Sequence, residues 1–263
     1  VISNATSNAT SSKNITWMSN TKKSAAKAIV QIAKKSEYEK NAEKAFEQVE
    51  GTSKIQNFLG STDISKNYSV RINKVLVTGL SSNTQYVYRV GDGTNWSGIK
   101  EFKTVRKGTA TNFFVIGDTQ TSDSENVDKI QQQLSQGNYK FGIQTGDSIE
   151  NASLYNDWVD VLNVFGSDYL SKIDMVHVLG NHEFMGDSTA DAAKNIYNLS
   201  NDENNTLSAL IRNLLTTDNQ PTLDLFEELR SIASELSDIR QKLNTSLEDN
   251  SLNDYLKSLS DLT

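Results

Sequence analysis

The sequence predicts a multidomain α and β protein with an N-terminal β-sandwich, then a partial α/β layer, then a C-terminal helical segment. Short alternating runs bounded by Gly, Asn and Asp fill most of residues 14–104. Strand-like and amphipathic helical patterns then alternate, and residues 204–263 show helical spacing only. We therefore predict a linker at 1–13, a sandwich at 14–106, an α/β domain at 107–200 and a helical segment at 201–263.

Composition narrows the class of protein. The 263 residues are enough for two ordinary domains. The net charge is −7 with acidic and basic residues interspersed, which argues against nucleic acid or an anionic membrane as the main partner. The absence of cysteine excludes disulfides and thiolate metal sites. No run approaches the roughly 18 apolar residues of a membrane-spanning helix, so we expect no membrane span; the sequence does not indicate an oligomeric state.

The sandwich prediction rests on short alternating strands. Residues 1–13 repeat Asn-Ala-Thr and have low complexity, which indicates a linker. Tyr86 follows a Gly-Leu-Ser-Ser-Asn-Thr-Gln segment, a pattern that resembles the tyrosine corner of fibronectin type III-like sandwiches, in which the Tyr hydroxyl bonds back to the loop. The predicted strands are Ile15–Trp17, Tyr68–Ile72, Val75–Val77, Tyr86–Val90 and Ile99–Phe102.

One part of the sandwich is ambiguous. Residues 22–50 are rich in Ala, Lys and Glu, so their intrinsic propensity favours helix. Ala28, Val30 and Ile32 nevertheless alternate, and a sandwich needs middle strands. We predict two strands, around Ala28–Ala33 and Phe46–Val49, and keep a helix as the alternative.

After a boundary near residues 106–108, three apolar runs each end in Gly followed by a polar residue. These polar residues are Asp118, Asp147 and Asn181. Amphipathic helices are predicted between the runs, at Asn126–Leu134 and Leu154–Phe165. Strands that alternate with helices indicate a parallel sheet, whose ligands bind at the carboxyl ends of the strands.

These strand ends carry the side chains that metal chemistry needs. Carboxylate and amide oxygens ligate hard cations, and a carboxylate can bridge two ions about 3.5–4 Å apart. His182, next to Asn181, is placed to act as an acid. A lone Gly-Asp is usually a turn, but three such ends in order predict a metal site. His177 alternates with two valines, which is typical of a core histidine.

The motifs Gly117-Asp118, Gly146-Asp147 to Asn151, and Gly180 to Glu183 resemble the first three blocks of calcineurin-like metallophosphoesterases. The preceding sandwich resembles the N-terminal domain of purple acid phosphatases. The resemblance covers roughly residues 10–200. It implies a secreted phosphatase-type metallohydrolase, extracellular or on the cell surface; the composition fits a bacterium.

The resemblance also implies a role for each matched residue. Asp118 would bind a first metal ion, Asp147 would bridge two, and Asn181 would bind the second. The ions would be iron with zinc, manganese or iron. A metal-bound hydroxide would attack a phosphate monoester in line, and His182 would contact the phosphate or protonate the leaving group.

Several positions depart from the family pattern. Gln120 stands where many relatives have a His ligand, and Glu150 stands where purple acid phosphatases have a Tyr. Asn151 is expected to support the site. The chain has only two histidines, His177 and His182, so the downstream His ligands of the family are missing and the ligand set is incomplete. A deletion or chimera, a truncated gene and a degenerate relative are the competing explanations.

Three functional hypotheses follow. The first is a metal-dependent phosphomonoesterase, acid phosphatase-like, with an incomplete site. The second is a non-catalytic cell-surface interaction protein that carries a degenerate phosphoesterase domain. The third is a structural α/β domain with coincidental turns. The C-terminal segment shows an a/d seam of about two heptads, which predicts helices that pack on the α/β layer. The seam comprises Leu229, Ile232, Leu236, Ile239 and Leu243.

Overall fold

The computed structural model describes residues 1–6, 8–21, 27–106, 112–120 and 124–199. The helical segment predicted at 201–263, with its seam, lies outside the described residues. The strands are β1 Ile2–Asn4, β2 Lys13–Asn20, β3 Ile29–Lys34, β4 Glu47–Glu50, β5 Thr52–Leu59, β6 Asn67–Val77, β7 Gln85–Gly91, β8 Lys100–Lys103, β9 Phe113–Ile116, β10 Phe141–Gln144 and β11 Asp174–His177. The α-helices are α1 Lys35–Asn41, α2 Ser124–Ser135, α3 Tyr155–Phe165 and α4 Asp191–Ile196, and 3₁₀ turns occupy Ala42–Ala45, Leu170–Lys172 and His182–Phe184.

The described strands form two sheets. A seven-stranded sheet has the order β5-β6-β2-β1-β11-β10-β9, and a four-stranded sheet has the order β4-β3-β7-β8. The four-stranded sheet packs against β2 and β6 through an apolar core, which makes the predicted sandwich. Its buried members include Ile15, Trp17, Val30, Tyr88 and Phe102. None of the described helices is long and apolar enough to cross a membrane.

Strand β1 corrects the linker predicted at residues 1–13. It pairs antiparallel with β2 and parallel with β11, and Ile2 is 0% exposed. Its polar residues Ser3 and Asn4 break the apolar pattern expected of a buried strand, so the sequence did not reveal it. The Ser3 hydroxyl donates to Asp174, and the Asn4 amide donates to Thr16.

The ambiguous stretch contains the two predicted strands, now β3 and β4, with the short helix α1 and a 3₁₀ turn between them. Val30 and Ile32 are buried against the sandwich core, and this burial overrides the helical propensity of their neighbours. Strand β5 escaped prediction because it lies at an edge and its residues are mostly exposed on both faces.

The tyrosine corner is confirmed. The Tyr86 hydroxyl accepts a hydrogen bond from the backbone N–H of Ser81 at 2.8 Å. The Tyr86 ring stacks on Phe102, with 5.6 Å between ring centroids. The contact closes the loop before β7 onto the sandwich core.

The parallel part of the large sheet positions the candidate site. Ile116, Gln144 and His177 are register partners at the ends of β9, β10 and β11. The three loops that follow therefore leave the sheet at the same edge, as the sequence predicted. Helices α2 and α3 connect these strands, close to the predicted bounds.

A buried ion pair joins the sandwich to the parallel strands. Lys13 Nζ in β2 lies 2.7 Å from Asp174 Oδ1 in β11, and the two side chains are 2% and 7% exposed. The ammonium group also lies 4.5 Å from the centre of the Phe102 ring. The Lys13 ammonium group thus contacts Asp174 in the parallel strand β11 and Phe102 in the four-stranded sheet.

We predict that Lys13→Met lowers the free energy of unfolding by about 3–5 kcal/mol, because it leaves the Asp174 carboxylate buried without its cation. Urea unfolding followed by circular dichroism measures the change. The matched control is Lys27→Met, since the Lys27–Glu50 pair is exposed and exposed pairs contribute under about 1 kcal/mol. Equal losses in the two variants would contradict the role given to Lys13.

Candidate active site

Three loops meet at the carboxyl ends of β9, β10 and β11. The backbone N–H of Asp118 donates to Gly146 O at 3.1 Å, and that of Gln120 donates to Asp147 O at 3.2 Å. The N–H of His182 donates to Asp147 Oδ1 at 2.8 Å. The structure thus brings the loops of Asp118, Gln120, Asp147 and His182 together, and Asn181 directly precedes His182 in the third loop.

The backbone is strained at this edge. Asp118, Gln120 and Asp147 have φ angles of 49°, 27° and 54°. Residues with a side chain rarely adopt this left-handed region, and such outliers concentrate at functional sites. A Cβ atom at Gly180 would collide with Asp147 Oδ1, so the glycine allows the second and third loops to touch.

The carboxylate of Glu183 holds the second and third loops together. Its oxygens accept the backbone N–H groups of Asp147, Ser148 and Gly180 at 2.8–2.9 Å. They also accept the Ser148 hydroxyl at 2.8 Å, and Glu183 is 0% exposed. No role for Glu183 was predicted from the sequence. Glu183 ends the third motif, which is the one feature that could have indicated a role, but no periodic pattern predicts the backbone N–H groups that it accepts.

A second carboxylate, Asp157 in α3, supports the same loop from the other side. Its Oδ2 accepts the N–H groups of Glu150 and Asn151 at 3.2 and 2.9 Å. Burial raises the pKa of the Asp157 carboxyl. The side-chain oxygen Oδ1 of Asn151 accepts the backbone N–H and the hydroxyl of Ser153, so this side chain stabilises its own loop.

His182 is fixed through one ring nitrogen. Its Nδ1 lies 2.8 Å from the carbonyl oxygen of Glu150. A carbonyl oxygen only accepts hydrogen bonds, so Nδ1 of His182 carries a proton. Nε2 is the second ring nitrogen, which accepts a hydrogen bond when the ring is neutral and donates one when it is protonated. The hydrogen bond to Glu150 raises the pKa of His182, and the charges of Asp147, Glu150 and Glu183 raise it further.

His177 is a core residue, as predicted. Its ring stacks on Tyr197 with 3.9 Å between centroids and meets the Phe165 ring edge-on at 5.3 Å. Burial lowers the pKa of His177 to about 3, so the imidazole is neutral. Of the three tryptophans, Trp17 and Trp158 are buried and Trp96 is partly buried.

The donor types at the edge suit part of a metal site. Asp118 and Asp147 supply carboxylates, and Asn181 and Gln120 supply amide oxygens, which are ligands that hard cations prefer. In the described ranges, no group of three or more His, Cys, Asp or Glu side chains could hold a metal ion. These residues therefore match the oxygen donors of a two-metal centre, and its imidazole donors are not assembled among them.

Comparisons with known proteins agree with the fold and the motifs. Residues 1–104 match the purple acid phosphatase N-terminal domain, and residues 111–256 match the calcineurin-like phosphoesterase family. The second match runs past residue 200, and the domain boundary there stays a prediction. No curated protein matches the sequence.

Solved structures give a fold comparison. The purple acid phosphatase PPD1 from yellow lupin (Lupinus luteus) seeds is 15% identical with a TM-score of 0.53, and the alignment covers 68% of this chain and 34% of that one. A structure of PhoD is 13% identical with a TM-score of 0.42, over 70% of this chain and 38% of that one. The chain thus spans about a third of the length of these structures.

We predict that Glu183→Gln lowers the free energy of unfolding by about 3 kcal/mol, because the amide NH₂ would face backbone donors that now bond to a carboxylate. Chemical unfolding measures the effect. Glu150→Gln is the matched control, since Glu150 lies in the same loop with an exposed side chain. A loss at Glu183 no larger than that at Glu150 would show that the carboxylate does not hold the loops.

We also predict that His177 makes the protein sensitive to acid. Its folded pKa of about 3 lies below its unfolded value, so between these values the unfolded state binds more protons and stability falls as pH falls. At pH 5 the loss from this group is about 2 kcal/mol. The measurement is unfolding at pH 7.5 and pH 5.

His177→Phe keeps an aromatic ring between Tyr197 and Phe165 and removes the titrating group. We expect its stability to fall less than that of the unaltered chain between these pH values. An identical fall in both proteins would assign the acid sensitivity to other groups.

Proposed function

The chain belongs to the calcineurin-like phosphoesterase family, and on that premise we propose that it hydrolyses phosphate monoesters with the help of bound metal ions. The observation that carries the proposal is the contact between the second and third motifs. The backbone N–H of His182 donates to Asp147 Oδ1 at 2.8 Å, so the residue proposed as shared metal ligand and the residue proposed as the acid lie in loops that contact each other. An extracellular or cell-surface location in a bacterium forms part of the proposal and rests on the resemblance to purple acid phosphatases.

The metal ligands in this proposal are Asp118, Asp147 and Asn181, with Asp147 shared between two ions and Gln120 beside the first. Iron paired with zinc, manganese or iron is the proposed pair. When bound, the ions would neutralise the phosphate and polarise its phosphorus–oxygen bonds. The left-handed backbone at Asp118 and Asp147 supports this assignment, because such conformations concentrate at functional sites.

His182 is the proposed acid. The Glu150 carbonyl occupies Nδ1, so Nε2 is the atom that would contact the phosphate or give a proton to the leaving oxygen. The nearby carboxylates favour the protonated ring, which is the form an acid needs. Glu183 and Asp157 would act only by holding the loops, since their oxygens are engaged by backbone N–H groups.

The second candidate function is a non-catalytic cell-surface interaction protein with a degenerate phosphoesterase domain. Two observations favour it. The described residues bring together no group of three carboxylate or imidazole ligands, and the whole chain contains only two histidines, one of them His177 in the core. In this case the edge would bind one metal ion weakly, and the sandwich would provide the binding surface.

We predict that the chain binds two metal ions per molecule and hydrolyses p-nitrophenyl phosphate, and that Asp147→Asn lowers kcat/KM by about 100-fold or more because it weakens the shared ligand. Calorimetric titration with zinc and manganese and a turnover assay give the two readouts. The control is Asp63→Asn, at an exposed turn of the sandwich.

Two outcomes separate the candidates. Tight binding of two ions with turnover that depends on Asp147 supports the enzyme. Absence of binding, or weak binding of one ion with the same residual hydrolysis in the Asp147 variant, supports the interaction protein.

A further inference from the structure

Tyr197, the residue that follows helix α4, places a buried hydroxyl against the second loop of the candidate active site. This hydroxyl is hydrogen-bonded to the hydroxyl of Ser148, which directly follows Asp147. Tyr197 is 1% exposed and Ser148 is 0% exposed. The two residues are 49 positions apart, so the bond connects α4 with the loop that carries Asp147.

The ring of Tyr197 is fixed by its aromatic neighbours. It stacks on His177 with 3.9 Å between centroids and meets the Trp158 ring edge-on at 5.7 Å. The Trp158 indole N–H donates in turn to the carbonyl oxygen of Ala152, in the loop that follows β10. A phenylalanine ring could make both ring contacts, so packing alone does not require the hydroxyl.

The hydrogen bonds that start at this hydroxyl run in one direction. Ser148 Oγ donates its proton to Glu183 Oε1 at 2.8 Å. A hydroxyl has one proton, so Ser148 accepts from Tyr197, and Tyr197 is the donor. Burial, together with the charge of Glu183, raises the pKa of Tyr197, so the phenol keeps the proton that it donates. The chain of donors therefore runs from Tyr197 through Ser148 to the Glu183 carboxylate.

The Glu183 carboxylate passes this constraint to the backbone of Asp147. Its Oε2 accepts the backbone N–H groups of Asp147 at 2.9 Å and Gly180 at 2.8 Å. Asp147 has a φ angle of 54°, which a residue with a side chain keeps only where its surroundings hold it. The conformation of Asp147 therefore depends on how the Glu183 carboxylate is oriented.

We propose that Tyr197 is a positioning residue for Asp147 and acts on it through Ser148 and Glu183. This inference rests on the proposed function, because it takes Asp147 as the shared metal ligand. Hydrogen bonds in a buried chain polarise one another, so the Tyr197 hydroxyl strengthens the bond from Ser148 to Glu183. Groups that orient a metal ligand in this way affect its affinity for the ion without contacting the ion.

Tyr197→Phe tests the proposal because it keeps the ring and removes only the hydroxyl. We expect the Kd for Mn²⁺, measured by calorimetric titration, to rise about tenfold, the lower end of the effect of groups that orient metal ligands. We also expect the backbone amide hydrogens of Asp147 and Gly180 to exchange about fivefold faster in the metal-free protein, which corresponds to the loss of about one net hydrogen bond. Nuclear magnetic resonance measures the exchange.

Tyr86→Phe is the matched control. It removes the same atom from a buried tyrosine and breaks the hydrogen bond with Ser81 in the sandwich corner. It is expected to lower stability and to leave the Mn²⁺ affinity and the exchange of the Asp147 and Gly180 amides unchanged. A general loss of stability would instead act on these readouts in both variants.

Ser148→Ala interrupts the chain of donors between its two ends. We expect this variant to weaken Mn²⁺ binding at least as much as Tyr197→Phe does. Adding Tyr197→Phe to Ser148→Ala is expected to change neither readout further, because the two residues act in series. If Tyr197→Phe does not fold, Ser148→Ala still tests the connection to Glu183 by the same two measurements.

Three results would overturn the proposal. The first is a Tyr197→Phe protein with unchanged Mn²⁺ affinity and unchanged amide exchange. The second is an equal effect of Tyr86→Phe. The third is additive effects of Ser148→Ala and Tyr197→Phe, which would mean that Tyr197 acts by another route. Absence of Mn²⁺ binding in the unaltered chain would overturn the proposed function, and amide exchange alone would then decide whether Tyr197 positions Asp147.

Discussion

The pairing of β1 with two neighbours is the constraint on which the described fold depends. This three-residue strand pairs antiparallel with β2 and parallel with β11, so the sandwich sheet and the α/β sheet are one sheet of seven strands. The buried ion pair of Lys13 with Asp174 connects the strands on either side of β1. Backbone hydrogen bonds and a buried charge pair thus place the carboxyl ends of β9, β10 and β11 relative to the sandwich.

Buried carboxylates then organise the loops at that edge. Glu183 accepts N–H groups from two loops, and Asp157 accepts two N–H groups of the loop that starts at Asp147. Carboxylates suit this task because they only accept and can take several donors at once. These carboxylates satisfy backbone N–H groups in turns, where neither a helix nor a sheet provides acceptors.

The two histidines have opposite pKa shifts because their surroundings differ. The hydrogen bond from His182 to the backbone carbonyl of Glu150, together with the charges of Asp147, Glu150 and Glu183, raises the pKa of His182 and favours its charged form. His177 lies between aromatic rings, where burial lowers its pKa to about 3 and keeps it neutral. His182 is therefore the residue proposed as the acid, and His177 is a neutral ring of the core.

Much of the architecture was predictable from local patterns. Alternating residues identified β3 and β7, the spacing of apolar residues identified α2 and α3, and Tyr86 identified a sandwich corner. These patterns show which face of a helix or strand is buried, because apolar residues recur about every 3.6 residues on a helix and every second residue on a strand. The motifs at Asp118, Asp147 and Asn181 each follow an apolar run, so they predicted a candidate site at the strand ends.

The tertiary structure decided what no local pattern records. Strand β1 is too short to show a period, and its polar residues are paired with partners up to 192 positions away. Glu183 accepts backbone N–H groups up to 36 residues distant, and Asn4 in β1 donates to the carbonyl oxygen of Ile196. The sequence by itself determined many of the elements, the family motifs and the types of metal donor present. Which side chains share a site depended on long-range strand pairing, because proximity between distant segments is a property of the folded chain.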